Sequence, residues 1–185
     1  MTSMQNAVRD RWLICTVAGL RAVAVGLAGV IFALYLSIAG EPPWKIGLLL
    51  SLGLAGCAVA TSIVMVMADR LGRRTTLMVI IALMALGGVV LAVTSTPSLI
   101  MLGTFIGMVN GMGRDRGAGL TIEQAMLPHT TRDAQRTAVF AWYNLIVDGG
   151  HALGALVAGL PAIFRTHMGA APLASYQWTW GCYSV

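Results

Sequence analysis

The chain has 185 residues, of which 57% are hydrophobic and only 10% are charged. Soluble domains carry about 25% charged residues, so this composition excludes an ordinary soluble protein and favours one embedded in a lipid bilayer. The formal net charge of +5 comes from basic residues spread over separate short loops. That distribution does not predict nucleic acid as a partner.

The apolar segments predict transmembrane helices, each of which needs about 20 residues to cross the bilayer core. Residues 1–11 are predicted to be a cytoplasmic amino terminus, and residues 12–185 a single transmembrane domain. In chain order, the spans are predicted at 12–39, 46–67, 77–94, 99–127, 138–164 and 176–185. The last one is too short to cross, so it is interpreted as an incomplete sixth span, as in a fragment or a truncated product.

Basic residues mark one side of the predicted membrane domain. Seven arginines precede the first span or follow the second and fourth, whereas the opposite side holds Lys45 and Arg165. Because basic loops stay in the cytoplasm, the amino terminus is predicted to be cytoplasmic, in an inner or plasma membrane. Trp44, Trp178 and Trp180 are predicted to lie at the outer interface, where aromatic belts form.

The loop after the second span reads ADRLGRR at residues 68–74. In position and in its core it resembles the signature loop of the major facilitator superfamily, G-x-x-x-D-R-x-G-R-R. Met65 stands where the family has its first glycine. A glycine suits the tight turn, and the arginines favour the cytoplasmic side. The resemblance implies a cytoplasmic gate that includes Asp69, Arg70, Gly72, Arg73 and Arg74.

A second resemblance lies at the inner end of the fourth span, where Glu123 is followed by Pro128, Arg132 and Arg136. It is similar to an acidic residue, a proline and an arginine at the same place in the family. The resemblance implies that Glu123 pairs with an arginine of the signature loop, and that this network, with Arg132 and Arg136, opens and closes the gate. It also implies a twelve-span transporter, so the carboxy-terminal half is predicted as a missing partner.

Ionisable residues inside the predicted spans are the strongest functional signal. Each costs about 2.5–3.5 kcal/mol at the centre of a bilayer, so it must face a polar cavity or another such residue. At about 1.5 Å per residue, several of them lie near the midplane, where secondary transporters bind their cargo. The predicted solute or coupling-ion cavity is lined by Arg21, Arg114, Asp115, Arg116, Asp148 and His151.

Asp148 and His151 are three residues apart and therefore share a helix face. They are predicted to be either a coupled acid and imidazole, which suits proton coupling, or a structural pair buried within the bundle. Several arginines around one cavity favour an anionic cargo. Two sets of glycines spaced by four residues predict close helix packing: Gly103, Gly107 and Gly111 in the fourth span, and Gly150 and Gly154 in the fifth.

The sequence predicts an all-α integral membrane protein, a major-facilitator-type six-helix half bundle built as two inverted three-helix repeats. The predicted function is transport of a small solute by alternating access, coupled to an ion or proton gradient or driven by the solute gradient itself. The alternative is a truncated, transport-inactive membrane protein that acts as a partner or remnant. No enzyme motif, P-loop or metal-ligand spacing is present, so no cofactor is predicted. The bilayer, a small solute and protons are the predicted partners.

Overall fold

The structure, a computed structural model, describes residues 2–114 and 117–184, and this part of the chain is all α-helical. In chain order its helices are α1 Thr2–Ile38, α2 Pro43–Leu71, α3 Arg73–Val93, α4 Pro97–Ile106, α5 Ala118–Met126, α6 Arg136–Val157, α7 Leu160–Met168 and α8 Pro172–Tyr183. Two 3-10 turns, Leu127–Thr130 and Asp133–Gln135, join α5 to α6.

Four helical stretches in the described residues are long and apolar enough to cross a membrane. They are Asn6–Ile38, Pro43–Leu71, Arg73–Val93 and Asp133–Met168. They correspond to the predicted first, second, third and fifth spans. Pro97–Ile106 is a shorter apolar helix.

The predicted fourth span is not one helix, which corrects the continuous span expected at 99–127. After α4, the amide of Val109 donates to Thr104 O (3.0 Å) and that of Met108 to Phe105 O (3.2 Å). This pair of bonds is the Schellman end of a helix. It places Met108 at φ +51°, in the left-handed region. Helix resumes only at Ala118, because a stretch rich in glycine and asparagine favours turns over continued helix.

The predicted fifth and sixth spans also differ in their bounds. α6 ends at Val157, and Pro161 lies in the first turn of α7. Proline has no amide hydrogen to extend the preceding helix, so the fifth span breaks there. α8 begins at Pro172 rather than near residue 176, since proline is well suited to the first helical position.

Helix packing has a two-fold pattern. The fourth span is α4 with α5, the fifth is α6 with α7, and the sixth is α8. The first span packs on the fifth, and in the same way the fourth span packs on the second. The third span packs on the fourth, and in the same way the sixth span packs on the first. The third also packs on the sixth. Exchanging spans one to three with spans four to six preserves these pairs, as expected of two inverted three-helix repeats.

An aromatic group at one end of the bundle holds α8 against α1. Trp180 is fully buried and lies edge-on to Phe32, Tyr35 and Tyr183, with ring centroids 5.8, 6.4 and 5.3 Å away. The prediction that Trp180 belongs to an exposed aromatic belt is therefore wrong, because α8 turns this ring into the core. Trp44 and Trp178 are exposed.

Glycines allow the helices to approach closely, as predicted. A Cβ on Gly154 of α6 would collide with Val23 O of α1, and one on Gly107 would lie 2.6 Å from Gly87 Cα of α3. On α2, a Cβ at Gly53 would meet Val109 O. These contacts bring backbone directly against backbone around the interrupted fourth span.

Candidate functional site

A buried ion pair joins the first and fourth spans. Arg21 of α1 donates from Nε to Glu123 Oε1 at 3.0 Å and from Nη2 to Glu123 Oε2 at 2.6 Å. The side chains of Arg21 and Glu123 are 5% and 0% exposed. A bidentate guanidinium–carboxylate contact fixes the relative orientation of the two side chains and pairs their opposite charges.

Tyr143 of α6 adds a third helix to this pair. Its hydroxyl donates to Glu123 Oε2 at 2.7 Å, and its ring packs in an apolar cluster with Cys15 and Ala18 of α1. We call Arg21, Glu123 and Tyr143 the Arg21 cluster. It connects α1, α5 and α6 inside the bundle, so three elements far apart in sequence are fixed by one carboxylate.

Gly119 provides the space that the Arg21 cluster needs. A Cβ at Gly119, one turn before Glu123 on α5, would lie 3.0 Å from Arg21 Nε. The Arg21 guanidinium therefore passes α5 at Gly119, where the absence of a side chain leaves room for it.

The position of Glu123 corrects its expected partner. Glu123 was expected to pair with an arginine of the signature loop, but its carboxylate accepts from Arg21 and Tyr143 instead. The turn of α5 that carries Glu123 directs its side chain towards α1 and α6, whereas the loop contacts α5 through the Arg73 side chain, which donates to the carbonyl oxygen of Ala125.

The signature loop makes a tight turn whose conformation requires glycine. Gly72 has φ +85°, between the end of α2 and the start of α3. Arg73 bonds Asp69 Oδ1 through Nη2 at 3.3 Å and donates from Nη1 to Ala125 O on α5 at 2.8 Å. The loop thus touches the α5 end of the fourth span. In the following loop, Arg136 pairs with Asp133 at 2.8 Å.

The other predicted charges approach α1 near its middle. A Cβ on Gly26 would meet the backbone of His151, and one on Gly29 would meet the backbone of Gly113. These two contacts bring α6 and the loop before α5 to the same part of α1. His151 interacts electrostatically with Asp148, Arg21 and Arg114.

Two of these charged side chains, Arg114 and Asp148, are exposed, and His151 is half-buried. We call Arg114, Asp148 and His151 the mid-depth charges. Three of the six predicted cavity residues therefore belong to segments that approach the same part of α1, whereas Arg21 is buried in its contact with Glu123. The other two, Asp115 and Arg116, lie outside the described residues.

The sequence interpretation missed two polar residues. Tyr143 lies on the face of α6 that also carries Gly150, a spacing of seven residues that keeps it on the packed side. Asn110 closes the loop after α4: its Nδ2 donates to Arg114 O at 2.6 Å, and its Oδ1 accepts from the Met112 amide at 2.8 Å. The Asn110-Gly111 dipeptide is a turn signal that could have revealed the break.

A polar stripe runs along the exposed side of α6. Asn144 and Asp148 are one turn apart and both exposed. The corresponding helix of the first repeat, α2, exposes Ser51 and Ser62 along one face. The two serine hydroxyls donate to carbonyls of α2 itself, whereas the Asp148 carboxylate is costly against lipid, so the face of α6 favours water or protein against it.

The comparisons with known proteins agree with this architecture. The sequence profile of the Major Facilitator Superfamily matches residues 14–181. The chain is 31% identical over 173 residues to the uncharacterized membrane protein YJR124C of Saccharomyces cerevisiae, covering 92% of this chain and 39% of the relative. It therefore spans about two-fifths of that relative's length. No solved structure matches it significantly. From the profile and this relative, the chain is a multi-pass membrane protein that belongs to the Major Facilitator Superfamily.

Proposed function

We propose that the chain forms the amino-terminal half of a secondary transporter, which moves a small solute by alternating access, and that it is not an enzyme. The second half would pack across the exposed polar faces of α2 and α6, leaving a cavity between the halves. The amino terminus would lie in the cytoplasm, and the protein in an inner or plasma membrane.

The observation that carries this proposal is the set of mid-depth charges. Asp148 lies twelve residues after Arg136, the first residue of α6, or about 18 Å along the helix, which is close to half the thickness of the bilayer core. Arg114 and Asp148 are exposed at this depth, although the exposed surface around them is mainly apolar. A charge there would be costly against lipid and favourable in a water-filled solute pathway.

An anionic solute fits these charges best. Arg114 would bind it by charge-assisted hydrogen bonds, with Arg116 as a further candidate. Asp148 and His151 share a helix face, and an imidazole changes its charge near neutral pH, so this pair would couple transport to protons.

In this proposal, the Arg21 cluster has a structural role and does not bind the solute. Its three members all belong to the same half, and Arg21 and Glu123 are buried. The cluster would therefore hold α1, α5 and α6 together as a rigid unit while the two halves rock. The gate would lie at the signature loop, where the Arg73 contact with Ala125 O would break on opening. Arg132 and Arg136 in the next loop would stabilise one of the two states.

Transport into proteoliposomes tests the proposal. The chain and a longer form with a second six-helix half are each reconstituted and supplied with a panel of radiolabelled small anions, with and without an imposed pH gradient. The longer form should accumulate at least one anion when a gradient is present. Asp148→Asn should reduce the gradient-driven part about tenfold, equivalent to 1.4 kcal/mol, because the titratable pair is lost.

Glu41→Gln is the matched control, since Glu41 follows α1 and pairs with Lys45 in the first turn of α2, away from the mid-depth charges. It should leave uptake within about twofold of the parent, a change of less than 0.5 kcal/mol. Equal gradient-driven uptake by Asp148→Asn and the parent would contradict the coupling role. Failure of the longer form to move any solute would favour a transport-inactive partner.

A further inference from the structure

A groove of about 450 Å³ lies between α1 and α6, at the end of the bundle where α6 begins. Its lining residues come from both helices and from the residue before α6: Arg11, Trp12, Cys15, Gln135, Ala138, Val139, Trp142 and Ile146. We call it the α1–α6 groove. No member of the Arg21 cluster or of the mid-depth charges is among these residues, so the groove is separate from the proposed solute pathway.

Arg11 is the charged group of the groove. Its side chain is half-buried, and within the part of the chain that the structure describes its guanidinium makes no hydrogen bond or ion pair. The neighbouring basic residues differ, because Arg9 lies 3.8 Å from Asp10 and Arg136 lies 2.8 Å from Asp133. A half-buried cation is costly without a counter-ion, so the groove favours an anion against Arg11.

A tryptophan stands on each wall of the groove. Trp12 of α1 and Trp142 of α6 are 63% and 65% exposed, and tryptophan is enriched where the headgroups of a membrane meet its hydrocarbon core. Trp142 lies six residues after Arg136, the first residue of α6, or about 9 Å along the helix. That distance is close to the thickness of the headgroup layer in one leaflet. The groove therefore crosses the headgroup layer and reaches the edge of the hydrocarbon core.

An apolar surface continues from both walls of the groove towards the membrane centre. On α6, Gly149 and Leu153 follow Trp142 by about two and three turns. A Cβ on Gly149 would meet nothing within 4 Å, and Leu153 is exposed. On α1, Val30 follows Trp12 by about five full turns and is also exposed. The two helices thus offer a path for acyl chains beyond the groove.

We propose that the α1–α6 groove binds one anionic phospholipid, with its phosphate on the Arg11 guanidinium and its acyl chains along the exposed faces of α1 and α6. A guanidinium matches a phosphate through two parallel N–H donors. The apolar path selects a lipid over a free phosphate ion. Basic pockets between transmembrane helices on the cytoplasmic side suit anionic headgroups, and the groove lies at the proposed cytoplasmic end of the bundle.

Native mass spectrometry tests the proposal. The purified chain is released from detergent micelles that contain equal amounts of palmitoyl-oleoyl phosphatidylglycerol and the matching phosphatidylcholine. The parent should retain phosphatidylglycerol about fivefold more than phosphatidylcholine, because one basic residue at a membrane surface has about that effect on an anionic lipid. Arg11→Gln should abolish the preference, whereas Arg11→Lys, which keeps the charge, should retain most of it.

Arg9→Gln is the matched control, because it removes the same charge from a residue outside the groove, about 200° around α1 from Arg11. It should change the preference by less than about twofold. Equal losses in Arg9→Gln and Arg11→Gln would reveal general attraction to the basic end and would overturn the proposal, as would equal retention of the two lipids by the parent. Displacement of the lipid by excess glycerol 3-phosphate would assign the groove to a soluble phosphate compound instead.

Alkylation rates locate the lipid in a variant whose native cysteines are replaced by alanine. Ala138 lines the groove and its neighbour Thr137 does not, although both residues are exposed. Phosphatidylglycerol in the micelles, compared with phosphatidylcholine, should slow the reaction of Ala138→Cys with a maleimide about fivefold and that of Thr137→Cys less than about twofold. Equal slowing at the two positions, or no slowing at Ala138→Cys, would place the lipid elsewhere and refute the site.

Discussion

The carboxylate of Glu123 is the acceptor of the buried hydrogen bonds that join α1, α5 and α6. It accepts three hydrogen bonds, two from Arg21 and one from Tyr143. Taking both charges out of water is costly, and the cost is offset only while the two groups remain together. Breaking such a buried pair from one side costs about 3–5 kcal/mol.

We expect Glu123→Gln to lower the free energy of unfolding by about 3 kcal/mol, the lower end of that range because the amide keeps one acceptor. Unfolding in mixed detergent micelles, followed by circular dichroism, measures the change. Glu41→Gln removes the Glu41–Lys45 ion pair instead and should cost less than about 1 kcal/mol. The double variant Arg21→Met with Glu123→Met should be more stable than either single variant. Similar losses for Glu123→Gln and Glu41→Gln would refute this energetic role.

At this scale, sequence reasoning identified the chemistry of the residues but not their partners. Arg21 was recognisable as an ionisable group in an apolar segment, because its cost in lipid depends on sequence position alone, and Glu123 was identified through the family resemblance. Their pairing depends on how α1 and α5 are rotated about their axes, which the helical rise does not determine. The family resemblance predicted that Glu123 pairs with the signature loop. In the structure, the absence of a side chain at Gly119 leaves room for Arg21 to reach Glu123.

Among the helix pairs of the described residues, α1 and α6 form the most extensive contact, and it depends on glycine. Gly154 faces the backbone of Val23, whereas a Cβ on Gly149 would meet nothing within 4 Å. We expect Gly154→Ala to destabilise the protein by about 1–3 kcal/mol through overpacking. Gly149→Ala should be neutral or stabilising by up to about 1 kcal/mol, because alanine favours the helix. Thermal unfolding of the two variants side by side decides this, and equal effects would show that the α1–α6 contact is not the cause.

The break between α4 and α5 is held by the side chain of Asn110. We expect Asn110→Ala to lose about 1 kcal/mol for each of its two hydrogen bonds, and the Met112 amide to exchange its hydrogen roughly fivefold faster or more. Hydrogen exchange with mass spectrometry on peptides from this loop measures the rate. Thr61→Ala, which removes a bond to Cys57 O within α2, should leave the loop unchanged. Unaltered exchange at Met112 in Asn110→Ala would mean that the backbone alone holds the turn.

Hydropathy predicted the long helices well and the interrupted ones poorly. α2 and α3 carry continuous apolar sequence, and their ends have turn signals at Pro42 and Gly72. The fourth span is apolar on average, so its break is invisible to a hydropathy window. Its glycines at 103 and 107 were interpreted as packing residues, and they are, whereas the left-handed positions of the turn that follows α4 are Met108 and Gly113.

Considered as a whole, the molecule is two similar three-helix units whose repeated packing pairs were implied by the family resemblance. The unequal part is the fourth span, which is broken between α4 and α5. The loop at this break approaches α1, which also packs on the fifth and sixth spans and carries Arg21. α1 is therefore the element through which the mid-depth charges and the Arg21 cluster are placed relative to each other.

The arginines predict how the whole bundle is oriented in the membrane. Seven basic residues (Arg9, Arg11, Arg70, Arg73, Arg74, Arg132 and Arg136) lie on one side, against Lys45 and Arg165 on the other. Basic loops are retained in the cytoplasm. In cells expressing a variant without native cysteines, we expect an impermeant maleimide to label Trp44→Cys from outside. It should label Arg70→Cys only after the membrane is permeabilised.

Trp44 and Arg70 are both exposed, near opposite ends of α2, so a difference in labelling reports the side of the membrane rather than burial. Replacing Arg70 leaves six of the seven basic residues, a bias that should still fix the orientation. Labelling of the permeabilised cells provides the control for reactivity, since both cysteines should then react. Labelling of Arg70→Cys in intact cells, with Trp44→Cys protected, would invert the topology. The signature loop would then face outwards, and a cytoplasmic gate at Asp69, Gly72 and Arg73 would have to be abandoned.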